Sequence, residues 1–163
     1  MDWFNALDEV QARELLRACC AADAWLDDVI AGRPYADRDA LRVRSATALD
    51  ALDWAGVRQA LDAHPRIGER VAAAGREADW SRREQSAMAT ASADVKAALV
   101  AANEAYEQRF GHIFLIFASG RSDTEMLAAA RERVGHDDGT ERRVVRDELA
   151  KIVALRLERL EAP

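Results

Sequence analysis

Residues 112–118 read His-Ile-Phe-Leu-Ile-Phe-Ala, and they hold the only β-like piece of this 163-residue chain. A lone strand leaves its own N–H and C=O groups unpaired, and an isolated pair of strands is marginal at best. No second run of this kind exists elsewhere in the sequence. The segment therefore predicts a buried, extended or tightly turned connection between helices, with backbone groups free for a ligand. The fold class that follows is all-α.

Helical spacing dominates on both sides of that segment. On the C-terminal side, TEMLAAARERVG (residues 124–135) is followed by a helix from about Thr140 to Leu160. Its apolar face carries Val144, Leu149, Ile152, Val153, Leu157 and Leu160. On the N-terminal side the spacing predicts the longest helix, from about Ser81 to Arg109. Before it, RIGERVAAAGREADW (residues 66–80) carries two glycines and reads as a loop with one short helical turn. Helices are expected from about Ala40 to Ala51 and from about Asp53 to Ala63. An amphipathic stripe of Val10, Leu15, Leu16, Cys19, Trp25, Leu26 and Ile30 is interrupted near Ala21–Asp23. AGRPYADRD (residues 31–39) then breaks the pattern. No repeat, low-complexity segment or composition shift marks a boundary, so residues 1–163 are expected to form a single domain.

Composition narrows the class. Half the residues are apolar, 32% are charged, and the formal net charge is -6. That charge argues against nucleic acid and against an anionic membrane surface as partners. No apolar run approaches the length of a bilayer span. The acidic start MDWFNALDEV does not read as a signal peptide, and the final LEAP is not a peroxisomal address. Cys19 and Cys20 are adjacent within an apolar stretch, where a disulfide between them would be strained. They are expected to pack in the core, in a reducing cytoplasm.

Few residues stand out as chemistry. His64 precedes Pro65, which disfavours the α conformation at the histidine and should end the preceding helix at Ala63 or His64. An imidazole at a helix C-terminus either caps carbonyls or serves as a general acid near neutral pH. Ser81 and Glu84 fit the capping-box spacing at the start of the expected long helix. Such a helix start, with Gln85 on the same turn, is also a site for an anion or a carbonyl oxygen. Arg156 interrupts the apolar stripe of the last helix. It either snorkels to solvent or points inward and needs an anion, for which a substrate carboxylate would serve. No metal site is expected, because His64, His112 and His136 are far apart and no paired-ligand spacing occurs. No G-x-S-x-G elbow or phosphate-cradling glycine loop is present.

Taken in order, ALDAHPRIGER (60–70), DWSRREQSAM (79–88), YEQRFGHIFLIFASGRS (106–122) and ELAKIVALRLERL (148–160) resemble the OHCU decarboxylases. These act on 2-oxo-4-hydroxy-4-carboxy-5-ureidoimidazoline in the last step of urate breakdown to (S)-allantoin. LLRACCAADAWLDDVIAGRPYAD (15–37) is similar to the N-terminal half of that family, so the resemblance covers nearly the whole chain. It implies an all-helical, cofactor-free enzyme acting on a small anionic ureidoimidazoline, cytoplasmic and reasonably a homodimer. By the same resemblance His64 is the catalytic histidine, with Pro65 as the substrate contact beside it. Ser81, Glu84 and Gln85 form the substrate-binding helix start, and Glu84 is placed to hydrogen-bond His64 and set its protonation state. Phe114, Leu115, Ile116, Phe117 and Ala118 form the segment whose backbone holds the ring, and Arg156 is the arginine of the last helix. The chain departs from the pattern at His112, where an apolar or small residue is expected, and in lacking a peroxisomal tail.

The chemistry fits such a residue set. Loss of CO2 from the substrate's quaternary carbon leaves electrons that delocalise into the adjacent C=N, so the ring is its own electron sink. The protein then supplies orientation, desolvation of the carboxylate and a proton on one face. Two other readings stay open on sequence. One is a family member acting on another small ureido or carboxylated heterocycle, and the other is a helical interaction module without catalysis.

Overall fold

The computed structural model describes residues 1–68, 76–84 and 92–162. Among them are nine helices and no strand: α1 (Asp2–Asn5), α2 (Glu9–Arg17), α3 (Asp23–Ala31), α4 (Arg38–Ala51), α5 (Trp54–Asp62), α6 (Arg76–Glu84), α7 (Ala93–Phe110), α8 (Asp123–Arg133) and α9 (Asp138–Glu158). The fold is all-α, and residues 113–118 run between α7 and α8 without helix or strand, as the sequence predicts. No helix among the described residues is long and apolar enough to cross a membrane.

The chain forms two compact units. The first takes residues 1–63 with 150–163, and the second takes residues 64–149, so α9 contributes to both. In the first unit α3 packs against α2, α4 and α5. Its buried residues include Leu16, Trp25, Leu26, Leu41 and Leu61, and the Trp25 indole N–H donates to Ser45 Oγ at 3.1 Å. Aspartates start three of these helices: Asp8, Asp37 and Asp53 each accept a backbone N–H of the first turn. A Cβ on Gly32 would lie 2.5 Å from the Tyr35 hydroxyl, so glycine lets Tyr35 fold back and donate to the Val29 carbonyl at 2.6 Å. Arg38 donates to the carbonyls of Leu157, Glu158 and Leu160, satisfying the end of α9. Cys19 and Cys20 are buried in this unit and joined in no disulfide among the described residues.

The second unit packs Ile67, Leu99, Tyr106, Phe114, Ile116, Ala118, Met126, Leu127 and Ala130 into one apolar cluster. Its helices correct the sequence reading in four places. Arg76–Trp80, expected as loop with at most one short helical turn, belong to the nine-residue α6. Ser81 lies inside α6 and starts no long helix; α7 begins at its own cap, Ser92, whose Oγ accepts the Val95 N–H at 3.3 Å. The longest described helix is α9, with 21 residues against 18 for α7. Val145, not Val144, joins Val153 as a buried valine of α9.

Candidate active site

His64 lies directly after the end of α5, whose last helical residue is Asp62 and whose cap is Ala63. Proline at 65 keeps His64 out of the helix. Gly68 closes the connector with φ 85°, a left-handed conformation that favours glycine. Between them, Arg66 reaches Glu107 through two contacts, Nε to Oε1 at 2.5 Å and Nη2 to Oε2 at 2.9 Å. The Ile67 carbonyl accepts from Asn103 Nδ2 at 2.9 Å. His64 and Pro65 are themselves half-exposed. The spacing of histidine, proline and glycine thus does what the sequence suggests: it ends a helix and holds an imidazole on a defined turn.

Ser81 and Glu84 correct the capping-box expectation. They stand three residues apart within α6, so they share a face, and that face is the inward one. Trp80 and Ser81 are buried and Glu84 is half-buried, whereas Arg82 and Arg83 are exposed. The same i, i+3 spacing that describes a capping box also describes two residues on one side of a helix. Gln85, the third residue expected on this turn, lies outside the described residues.

The extended segment begins where Gly111 ends α7 in the left-handed conformation, φ 71°. Several of its backbone groups are committed to the protein itself. Arg133 donates to the Leu115 carbonyl at 2.7 Å, and the Phe117 N–H donates to Glu148 at 2.6 Å. The Phe117 carbonyl accepts from Arg121 Nε at 3.1 Å, and the Ala118 carbonyl from the Arg121 N–H at 3.1 Å. A ligand has to be held by other groups of the segment. Phe114, Leu115, Ile116 and Ala118 are buried, and Phe117 is half-buried.

Beneath the segment lies a buried charged network. Glu141 accepts from the Tyr106 hydroxyl and from Arg133 Nε at 2.9 Å and Nη2 at 2.6 Å, with His136 Nδ1 2.8 Å from its other oxygen. Burial pushes the Tyr106 phenol well above its ordinary range, and its hydrogen bond to Glu141 adds to the shift. The Arg133 guanidinium also lies 4.6 Å from the Phe114 ring centroid. A buried carboxylate surrounded by donors is the arrangement that makes its burial tolerable. His112 is 8% exposed and sits edge-on to Tyr106 with centroids 5.4 Å apart. Its ring takes the apolar position expected there and uses it as an aromatic would.

Arg156 does not snorkel. It is 1% exposed on the inward stripe of α9, in the first unit, and donates to the Ala18 carbonyl at 3.2 Å. His64, Pro65, Ser81, Glu84 and 114–118 belong to the second unit. There the connector and the extended segment meet in one apolar cluster, through Ile67 on one side and Phe114, Ile116 and Ala118 on the other.

Asn103, Arg133, Glu141 and Glu148 escape the sequence reading. A signal existed for two of them: Glu141 and Glu148 stand in step with Val145, Leu149 and Ile152, as Arg156 does farther along. Asn103 occupies the same kind of position on α7, between buried Leu99 and Tyr106. Among the described residues, no group of three or more His, Cys, Asp or Glu side chains is arranged to hold a metal ion.

Known proteins match this arrangement along most of its length. The family model described as OHCU decarboxylase matches residues 5–158. The uric acid degradation bifunctional protein TTL of Arabidopsis thaliana is 32% identical over 88% of this chain, which spans 45% of that protein's length. The 2-oxo-4-hydroxy-4-carboxy-5-ureidoimidazoline decarboxylase of Amia calva is 31% identical over 85% of this chain and 77% of its own. That of Haloferax volcanii is 31% identical over 77% of this chain and 73% of its own. A crystal structure of OHCU decarboxylase in the presence of (S)-allantoin superposes with a TM-score of 0.77 at 26% identity, covering 88% of this chain and 94% of that one. Because the family match takes in the His64 connector, α6, the extended segment and α9, the chain belongs to the OHCU decarboxylase family of carboxy-lyases.

Proposed function

We propose that this chain removes CO2 from 2-oxo-4-hydroxy-4-carboxy-5-ureidoimidazoline and releases (S)-allantoin, with His64 handling the proton. The observation that carries the reading is the His64 connector: a half-exposed imidazole on a turn fixed by Pro65 and Gly68, in a chain that matches the family from residue 5 to residue 158. In the reaction the bond from the quaternary carbon to its carboxylate breaks, and its electron pair moves toward the adjacent C=N. CO2 leaves, and a proton reaches the ureido-bearing carbon as the hydroxyl-bearing carbon becomes a carbonyl. Every step uses the substrate's own unsaturation, so what remains for the protein is geometry and one proton.

His64 delivers that proton to one face, which sets the hand of the product. Glu84, on the inward face of α6, orients the imidazole, and Ser81 and Gln85 hold substrate beside it. Arg156, with its buried guanidinium, pairs with a substrate anion. The cytoplasm and a homodimeric state belong to the same reading, the first supported by the buried, reduced state of Cys19 and Cys20. Sedimentation tests the second.

The test is His64→Ala. Stereoselective turnover is expected to fall by at least about 10²-fold, while helix content stays nearly unchanged. A folded variant with near-normal activity would remove His64 from the mechanism.

A further inference from the structure

We propose that Asn103 is a positioning residue for His64, acting through the backbone of the connector; the inference rests on the reading of His64 as the proton-handling group. Asn103 is 4% exposed, and its Nδ2 holds the Ile67 carbonyl at 2.9 Å, three residues from the histidine. One turn farther along α7, Glu107 holds Arg66 through two contacts, at 2.5 and 2.9 Å. Pro65 fixes its own φ, and Gly68 takes a φ of 85°. Every residue from 65 to 68 is thus constrained by ring, clamp or turn, and α7 supplies both clamps.

The other end of the Asn103 amide makes the case. Its Oδ1 is buried and has no hydrogen-bond partner among the described residues. Its neighbours along the same face of the helix, Leu99 and Tyr106, are both fully buried in the apolar cluster. An amide here carries an unpaired buried acceptor that leucine would not. What the amide provides and leucine cannot is the bond to Ile67. A polar group kept at a cost in stability, and spent on the turn that carries the histidine, is the pattern of a site residue rather than of a core residue. Asn103 also lines a cavity of about 270 Å³ with, among the described residues, Arg66, Val100, Glu104 and Glu107. The connector therefore has room to shift if the clamp is lost.

Asn103→Leu separates this from a merely structural role. The melting temperature is expected to stay within about 3 °C, because an orphaned acceptor and a hydrogen bond disappear together. Hydrogen exchange in residues 64–68 should rise about tenfold while α8 is unchanged. With the generated ureidoimidazoline, kcat should fall about tenfold or more with KM little changed, and the allantoin formed should lose part of its single-handedness. Asn103→Gln, which keeps the amide donor, should restore part of kcat. Should Asn103→Leu fail to fold, Glu107→Gln at the second clamp is expected to show the same changes, smaller. Unchanged exchange in the connector, or turnover per folded molecule and product handedness equal to wild type, overturns the proposal. If the wild-type chain itself makes no excess of (S)-allantoin, the functional reading fails, and the exchange measurement still decides the clamp.

Discussion

Glu84 stands on the half-buried side of a helical turn, in line with buried Ser81, and starts no helix. A substitution there consequently tests chemistry with little interference from capping. Glu84→Gln keeps the shape and a hydrogen-bonding oxygen while removing the charge. We expect it to melt within about 3 °C of wild type and to lose at least about tenfold in kcat. Thermal melts and steady-state rates on the same preparation check both halves; normal turnover per folded molecule would leave Glu84 outside the mechanism. Residues of this kind were legible in the sequence to very different degrees. His64 was legible because its constraint is local: the proline follows it and the glycine is four positions on. Asn103 was not, because its partner is a backbone carbonyl 36 positions away, and no spacing rule relates the two. Arg133 was hidden for the same reason, its anchor being the Leu115 carbonyl 18 positions back.

At the scale of helices, periodicity located most elements, with the starts of α4, α5 and α9 within two residues, and misplaced the start of α7. The Ser81–Glu84 pattern occurs inside α6, and the true start of α7 at Ser92 lacks an acidic residue three positions on. The starts of α8 and α9 are built on carboxylates that the apolar pattern does not report. Asp137 precedes α9 and accepts the Thr140 N–H at 2.9 Å and its hydroxyl at 2.7 Å. The backbone bond to Thr140 is the main reason the Asp137 carboxyl lies below its ordinary value of 3.8. Glu125 is lowered in the same way by Ser122 at the start of α8. A carboxyl whose folded value is depressed stabilises the fold above its unfolded value and loses that contribution as pH falls through the folded one. Wild type is therefore expected to be more stable than Asp137→Asn at neutral pH, with the difference shrinking as the pH falls below about 4. Urea unfolding of both proteins across that range measures it, and a difference independent of pH would remove the Asp137 carboxylate from the cap.

For the whole molecule, the all-α class followed from one isolated apolar segment, and the structure leaves that segment neither helix nor strand between α7 and α8. The division into two units had no counterpart in composition, because both are built from the same Ala- and Leu-rich helices. The helix α9 also passes from one unit to the other without a break that a sequence pattern could show. Its inward stripe carries Glu141 and Glu148 in the second unit and Arg156 in the first, so a single helix presents charged groups to both cores. The most direct test generates the ureidoimidazoline from urate in solution and follows circular dichroism after adding the chain. A signal of (S)-allantoin is expected that grows at a rate proportional to protein concentration and ends at a single enantiomer. Allantoin that forms no faster than without protein, and stays racemic, would contradict it.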